Sequence, residues 1–228
     1  SNSASSTFSL AFSPGGVTPY GYWDFGKSSS YSGSGTTWSD ISSNSNDMVI
    51  SGGTYSSSTT AHSVAAMQFD TSGSNFSLPA DVRSNAKTYV FIFYPQSSGT
   101  FIMMGDGSSS RYSFFFLNGN TGPFNSPGFN NWTGETKTQY INGSTPKTTR
   151  DAGYDALDFS KYNMAAVTAV DATAHNYKWM GYGSGIVIAA HVRAVLAYDS
   201  ILTTTQLASI SSYYSNELGS SNMTTWSS

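Results

Sequence analysis

Carboxylates come first among the residues that could do chemistry, because glycoside cleavage uses two of them about 5 to 9 Å apart. The chain contains two glutamates, Glu135 in a Gly/Thr-rich segment and Glu217 near its end, so one strand does not carry both. Asp155 and Asp158 form an alternative pair, and their turn-like surroundings favour a capping role. The sequence therefore predicts no glycosidase site, and we expect the chain not to be an enzyme.

His191 and Arg193 are the second group with chemical potential. They stand two residues apart on a predicted strand, so both side chains lie on one face. A polysaccharide lyase uses such a base beside a group that neutralises the uronate. The simpler interpretation is a partly buried His and an Arg whose stem packs on the sheet. His62 and His175 lie in predicted loops without a nearby acidic pair, and they predict no metal site.

Aromatic residues flanked by amides and hydroxyls form the third group. A ring stacks on the apolar face of a sugar while polar groups bind its hydroxyls. Asn131 and Trp132, followed by Gln139 and Tyr140, give the best such set. We therefore predict a carbohydrate site there. A Trp that only anchors its loop is one alternative, and a subunit interface of a homo-oligomer is another.

Composition excludes several partners. The formal net charge is -3 and the ten Lys and Arg residues are scattered singly, which argues against nucleic-acid binding. No apolar run approaches the roughly 20 residues that span a bilayer, so we expect no membrane insertion. The absence of Cys excludes disulfides and thiolate zinc sites. We expect no required cofactor.

The elements that must position these residues are mostly strands. Abundant Gly, Ser, Thr and Asn, with 15% aromatic residues, are typical of an all-β protein rich in turns. Residues 88–94 and 186–198 are apolar on both faces, which predicts two central strands. Further strands are predicted at 8–12, 48–50, 64–69, 75–78, 100–104, 111–117, 138–141, 164–170 and 177–181. Together they predict one antiparallel two-sheet sandwich.

One helix is predicted at the C-terminal end. Thr203 and Gln206 have the spacing of a capping box, and Leu202 and Leu207 have the spacing of a hydrophobic staple. Gly219 stands where such a helix ends. The pattern predicts a short amphipathic helix over 204–218 that packs on one edge of the sandwich.

Three segments resemble laminin-G-like members of the concanavalin A-like lectin and glucanase jelly rolls. They are residues 30–47, residues 67–70 with the sequence Met-Gln-Phe-Asp, and residues 195–203 before the helix. Two departures from the pattern are the Gly after Phe-Asp, displaced to Gly73, and Ala194 in place of an acidic residue. The resemblance implies a jelly-roll domain over 20–219, preceded by an N-terminal arm or edge strand (1–19) and followed by a tail (220–228).

That family contains lectins, adhesive modules and enzymes, so the fold alone does not choose a function. The first segment is most similar to domains of tailed-phage virion proteins and bacterial surface proteins. We therefore expect a non-catalytic module at a virion surface, which decorates the capsid or tail or binds a host glycan. Its partners would be virion proteins or a cell-surface glycan. The alternatives are a secreted bacterial carbohydrate-binding adhesin and a polysaccharide lyase of the same fold.

Calcium binding is a further implication of the resemblance, because laminin-G-like domains bind this ion through loop carboxylates and carbonyls. Asp70 and Asp106 each follow a predicted strand beside Gly or Ser, so they are the candidate ligands. A calcium site needs several oxygens, and the sequence has no dense acidic cluster. A turn role for both residues is the alternative.

Overall fold

The structure is a computed structural model that describes part of the chain. The described residues are 12–58, 63–69, 74–96, 101–105, 112–116, 119, 121–122, 137–171, 173, 178–179 and 189–228, of which 101–103, 112–116 and 178–179 are described by their backbone alone. Within them no helix has the length and apolar character needed to cross a membrane.

These residues form thirteen strands, three α-helices and a 3-10 turn at Pro14–Gly16. The strands are β1 (Gly21–Asp24), β2 (Thr37–Trp38), β3 (Met48–Ser51), β4 (Thr54–Ser56), β5 (Ala66–Phe69), β6 (Asn75–Ser77), β7 (Thr88–Pro95), β8 (Phe101–Gly105), β9 (Tyr112–Phe116), β10 (Thr138–Ile141), β11 (Asn163–Thr168), β12 (Lys178–Trp179) and β13 (Ala190–Tyr198). The helices are α1 (Ala80–Asn85), α2 (Arg150–Asp155) and α3 (Thr204–Leu218).

The strands build two antiparallel sheets. In the first sheet the order is β10-β11-β7-β13-β5-β4, with β1 also paired to β13. In the second sheet the order is β2-β3-β6-β12-β8-β9. The prediction of an all-β, two-sheet antiparallel architecture with a short C-terminal helix is confirmed.

Strand β13 is the centre of the first sheet. All nine of its residues are buried, as the apolar run predicted. It pairs with β7 on one side, and on the other side with β5 at Ala190–Val192 and then with β1 at Ala194–Ala197. A bulge at Arg193 marks the change of partner. Residues 186–188 of the predicted strand lie outside the described residues.

An aromatic core fills the space between the sheets. Phe25 stacks on Trp38 with ring centroids 3.8 Å apart, and Trp38 meets the ring of Phe76 edge-on at 5.0 Å. All three side chains are almost completely buried. Large aromatic side chains remove much apolar surface from water, so this packing stabilises the contact between the sheets.

Helix α3 covers the outer face of the first sheet and buries Leu207, Ile210 and Tyr214 there. The Thr203 hydroxyl accepts a hydrogen bond from the amide of Gln206, while the Gln206 side chain accepts one from the amide of Thr203. The capping box and the bounds of the helix are therefore confirmed. Leu202 is also buried in this second apolar cluster, next to the predicted staple partner.

Phe12 near the start of the described residues, and Met223 and Trp226 near their end, pack against this helix-covered side. Phe12 stacks on Tyr22 with centroids 4.5 Å apart. In the segment predicted as a tail, Met223 is buried and the Trp226 indole donates to the Ser144 hydroxyl at 3.0 Å. Residues 1–11, which include most of the first predicted strand, lie outside the described residues.

Several short elements were not predicted. The segment around Asp155 was interpreted as a turn, yet residues 150–155 form α2, whose start is capped by the Thr149 hydroxyl. Strands β1, β2 and β4 were also missed. Their two to four residues are too few to display an alternating pattern, and β1 is buried at every position.

Candidate functional site

The most concentrated charge in the described structure lies beneath α3. We call Asp24, Arg193, Tyr22 and Tyr214 the buried ionic cluster. Arg193 Nε lies 2.7 Å from Asp24 Oδ1, with side-chain exposures of 8% and 0%. The hydroxyls of Tyr22 and Tyr214 each donate to Asp24 Oδ2 at 3.2 Å. The carboxylate is thereby neutralised by one cation and further stabilised by two neutral donors.

The two phenols of this cluster remain protonated at any physiological pH. Burial raises the pKa of Tyr22, and the Asp24 carboxylate raises it further. Burial raises the pKa of Tyr214 well above its usual 10, and Asp24 and Tyr22 add to the shift. Both side chains are thus fixed as hydrogen-bond donors. Their role is to stabilise the buried carboxylate of Asp24.

Gly26 fits the cluster because it has no side chain. Its amide donates to Asp24 Oδ1 at 2.8 Å. A Cβ atom at this position would lie 1.9 Å from Cζ of Arg193. The close approach of backbone and guanidinium therefore requires glycine, and it joins the loop after β1 to the bulge of β13.

A surface ion pair borders the cluster. Lys27 Nζ lies 2.5 Å from Glu217 Oε2, and both side chains are 32% exposed. The same Glu217 oxygen is 3.9 Å from Nη2 of Arg193. Glu217 therefore connects the end of α3 to the loop after β1.

The lyase hypothesis placed a base at His191 and a cation at Arg193. Both are buried rather than partly exposed, at 5% and 7% of their accessible surface. The His191 ring stacks against Tyr94 with centroids 5.8 Å apart, and Arg193 is engaged by Asp24. A polysaccharide cannot reach side chains closed off in this way, so the structure gives these two residues a packing role.

The predicted sugar-binding residues do not form one surface in the described structure. Asn131 and Trp132 lie outside the described residues. Gln139 is fully buried, and its side-chain amide donates to the carbonyl of Thr149 at 3.1 Å. Tyr140 is half-buried and packs on the helix-side cluster. Because neighbouring residues of a strand point to opposite faces, Gln139 and Tyr140 cannot face a common ligand.

The predicted calcium ligands cannot be placed either. Asp70 and Asp106 both lie outside the described residues. Among the residues that are described, no group of three or more His, Asp or Glu side chains could hold a metal ion. His62 and His175 are likewise outside the described part of the chain.

Two surface clefts occur where the sheets part. Strand β2 is the edge of the second sheet and β4 is an edge of the first. We call the region between them, with the loop 25–36, the open side. Its two clefts adjoin, because Gly35 and Thr36 line both.

The larger of these, here named the tyrosine cleft, has a volume of about 430 Å³. The rings of Tyr31 and Tyr55 lie beside each other in it, with centroids 5.0 Å apart. Tyr31 donates to the carbonyl of Gly35 at 3.0 Å, and Tyr55 to that of Phe25 at 3.4 Å. Both rings are therefore fixed in place before any ligand arrives. The remaining lining residues are Gly33, Gly35, Thr36, Ile50, Gly52, Gly53, Thr54 and Met67.

The second, the serine cleft, has a volume of about 370 Å³. Hydroxyl side chains dominate its lining. Six of these side chains are exposed, and their hydroxyls have no hydrogen-bond partner among the described residues: Ser28, Ser29, Ser32, Ser34, Thr36 and Thr37. These groups are available to a polar ligand as donors and as acceptors.

The loop that separates the clefts is held by its own hydrogen bonds. Ser30 is buried, donates through its hydroxyl to the Ser39 carbonyl at 2.7 Å and accepts from the amide of Asp24 at 3.0 Å. The amide of Ile50 donates to the carbonyl of Thr36 at 2.7 Å. Such a preorganised loop loses little conformational entropy when it binds a ligand.

Glycine at position 33 keeps the tyrosine cleft open. Gly33 has φ +102°, which other residues rarely adopt, and a Cβ atom there would lie 3.5 Å from Cε1 of Tyr55. Any larger side chain would therefore begin against the Tyr55 ring. No sequence motif indicates this cleft, since Tyr31 and Tyr55 are 24 positions apart and meet only through the fold.

Comparisons with known proteins concern the fold. No protein-family model and no curated protein matches the chain. Solved structures of Trypanosoma rangeli sialidase do match. In a complex with 2,3-difluorosialic acid (covalent intermediate), the TM-score is 0.51 at 9% identity, over 88% of this chain and 33% of the sialidase. In a complex with 2,3-difluoro-KDN, the TM-score is 0.51 at 11% identity, over 87% and 32%.

These matches correct one expectation from the sequence. We expected the chain not to be an enzyme, whereas the solved structures that share its fold are those of an enzyme. The separation of Glu135 and Glu217 in the sequence therefore does not support that expectation. The chain spans about a third of the length of these sialidases, and the likeness at this level of identity concerns the fold alone.

Proposed function

We propose that the chain is a glycan-binding module and that the open side is its sugar site. The observation that carries this proposal is the pair of adjoining clefts, one with two fixed tyrosine rings and one with exposed hydroxyls. Sugar recognition needs both kinds of group, because a pyranose has an apolar C–H face and a rim of hydroxyls.

The half-buried Tyr55 is the stacking platform of this proposed site. Its hydroxyl donates a hydrogen bond to the Phe25 carbonyl, which holds the ring in place while part of the ring stays accessible to solvent. The Ser and Thr hydroxyls around Gly35 would bind the sugar hydroxyls as donors and acceptors. Asn131 and Trp132 remain a proposed second contact region.

The setting we propose is the exposed surface of a tailed-phage virion, as a capsid or tail decoration or as the part that binds a host glycan. Support comes from the resemblance of residues 30–47 to such domains, which also underlies the proposed concanavalin A-like jelly-roll path. A secreted bacterial adhesin is the second setting, and it would use the same clefts.

A second candidate function is the sugar-binding portion of a longer glycan-cleaving protein. Similarity to about a third of a sialidase supports this candidate. The two candidates share the open side and differ in what the rest of the protein does. Hydrolysis of 4-methylumbelliferyl glycosides, including the sialoside, by this chain and by any longer protein that contains it would separate them.

A glycan array tests the binding function, and a pair of tyrosine variants tests its location. Tyr55→Ala should weaken binding about tenfold or more, because loss of the stacking ring should cost about 1.4 kcal/mol, within the range of about 1–3 kcal/mol for nucleic-acid bases stacked on aromatic side chains. Tyr140→Ala is the matched control, since Tyr140 is also half-buried but packs on the helix side. Equal losses of glycan affinity in both variants, or no bound glycan on the array, would contradict the proposal.

A further inference from the structure

The chemistry of the open side selects among glycans. Resting on the proposed function, we infer that the site takes neutral sugars and discriminates against glycans that carry a carboxylate, such as sialosides and uronates. Three features favour uncharged sugars: the clefts lack charged lining residues among those described, their polar groups both donate and accept, and two nearby cations are held in ion pairs.

None of the described residues that line either cleft is charged. The polar contacts available are hydroxyls, backbone groups of glycines and the tyrosine rings. A carboxylate that leaves water needs a cation or several strong donors in return, because burial of an uncompensated charge is costly. A neutral sugar needs only groups that both donate and accept, and these are the groups that the clefts offer.

Two described cations near the open side are already engaged. Lys27, next to Ser28 of the serine cleft, lies 2.5 Å from Glu217 and 5.8 Å from the ring centroid of Tyr213. Arg193 is buried against Asp24. Recruitment of either cation to an acidic sugar would break an existing ion pair. The net charge of -3 adds a weak long-range repulsion of anions.

Backbone access strengthens the preference for hydroxyl-bearing ligands. At Gly35, which both clefts share, a Cβ atom would find nothing within 4 Å, so the space beside its peptide groups is open. The Gly35 carbonyl already accepts from the Tyr31 hydroxyl, and its second lone pair can accept from a sugar hydroxyl, to which a peptide N–H can also donate. A carboxylate can use only the N–H groups.

Matched pairs of glycans test the inference on the 228-residue chain by isothermal titration calorimetry. Suitable pairs are lactose with 3′-sialyllactose, and methyl-esterified oligogalacturonides with their free acids. We expect the neutral member of any pair that binds to do so at least about tenfold more tightly, equivalent to about 1.4 kcal/mol. An acidic member that binds as well as or better than its neutral partner overturns the inference and leaves glycan binding intact.

A gain-of-function variant provides an independent measurement. Ser34 is exposed in the serine cleft, so Ser34→Arg adds a cation there without disturbing the core. It should raise affinity for the acidic member at least about threefold, with Ser43→Arg, another exposed serine, as the control. No change with Ser34→Arg would contradict the inference. If neither neutral nor acidic glycans bind the wild-type chain in the array or in titration, the proposed function itself fails.

Discussion

The buried ionic cluster and the open side use opposite chemistry. Beneath α3, one carboxylate and one guanidinium are closed off and fully engaged. On the open side, the described cleft residues are uncharged, and several hydroxyls have no partner in the described structure. A residue's chemical reactivity is therefore a poor guide to function in this chain. The charged side chains of Asp24 and Arg193 stabilise the fold, while uncharged hydrogen-bonding groups form the surface offered to a ligand.

The largest effect should come from one side of the buried ion pair. Arg193→Met leaves Asp24 buried without its cation, which should lower the free energy of unfolding by about 3–5 kcal/mol. Urea unfolding followed by tryptophan fluorescence measures the loss. The double variant Asp24→Asn/Arg193→Met should lose less than the sum of the two single variants. A loss below about 1 kcal/mol for Arg193→Met would show that the cluster does not hold this region.

Leu207→Ala should cause the second-largest loss of stability. The side chain is fully buried between α3 and the first sheet, so the cavity should cost about 2–4 kcal/mol. Thr205→Ala, at an exposed position of the same helix, is the control and should change stability by less than about 0.5 kcal/mol. Equal small effects at both positions would mean that α3 contributes little to the helix-side core.

Gly26→Ala tests whether the two regions are connected. The new methyl group would collide with the Arg193 guanidinium, and such overpacking costs about 1–3 kcal/mol. Because Gly26 also begins the loop of the open side, the same variant should weaken glycan binding. Ser28→Ala in the same loop should leave stability unchanged. If a destabilised Gly26→Ala variant bound glycans with normal affinity, the buried ionic cluster would not influence binding in the clefts.

Lys27→Ala should have the smallest effect. The Lys27–Glu217 pair is partly exposed, and such pairs contribute about 0–1 kcal/mol. The difference from wild type should shrink further in 1 M NaCl, because salt screens exposed charges. Thermal melts at low and high salt provide the measurement. A large loss of stability that did not depend on salt would show instead that Lys27 acts as part of the buried ionic cluster.

Local sequence signals predicted the parts of the fold that depend on local interactions. Thr203 and Gln206 form their capping box within one turn, so the helix could be placed to the residue. The continuous apolar run of β7 likewise identified a central strand. Local sequence signals could not predict the bulge at Arg193. It arises where β5 is replaced by β1 beside β13, and those strands are far apart in sequence.

The candidate site was less predictable than the fold for the same reason. Tyr31 and Tyr55 carry no motif and meet only because β4 and the loop after β1 reach the open side. Gln139 was assigned to the surface from the polar composition around it. In the structure its amide instead satisfies the Thr149 carbonyl inside the protein. Amide and aromatic side chains serve buried structure and surface binding equally well, so residue type alone could not separate the two roles.

The central claim is that the open side binds the sugar. Chemical-shift mapping of the 15N-labelled chain, titrated with the tightest-binding neutral glycan, tests it most directly. The account predicts that the largest amide shifts fall within residues 28–37 and 50–55, which line the two clefts. It predicts small shifts around Tyr140 and along α3. Saturable shifts confined to other residues would contradict the claim.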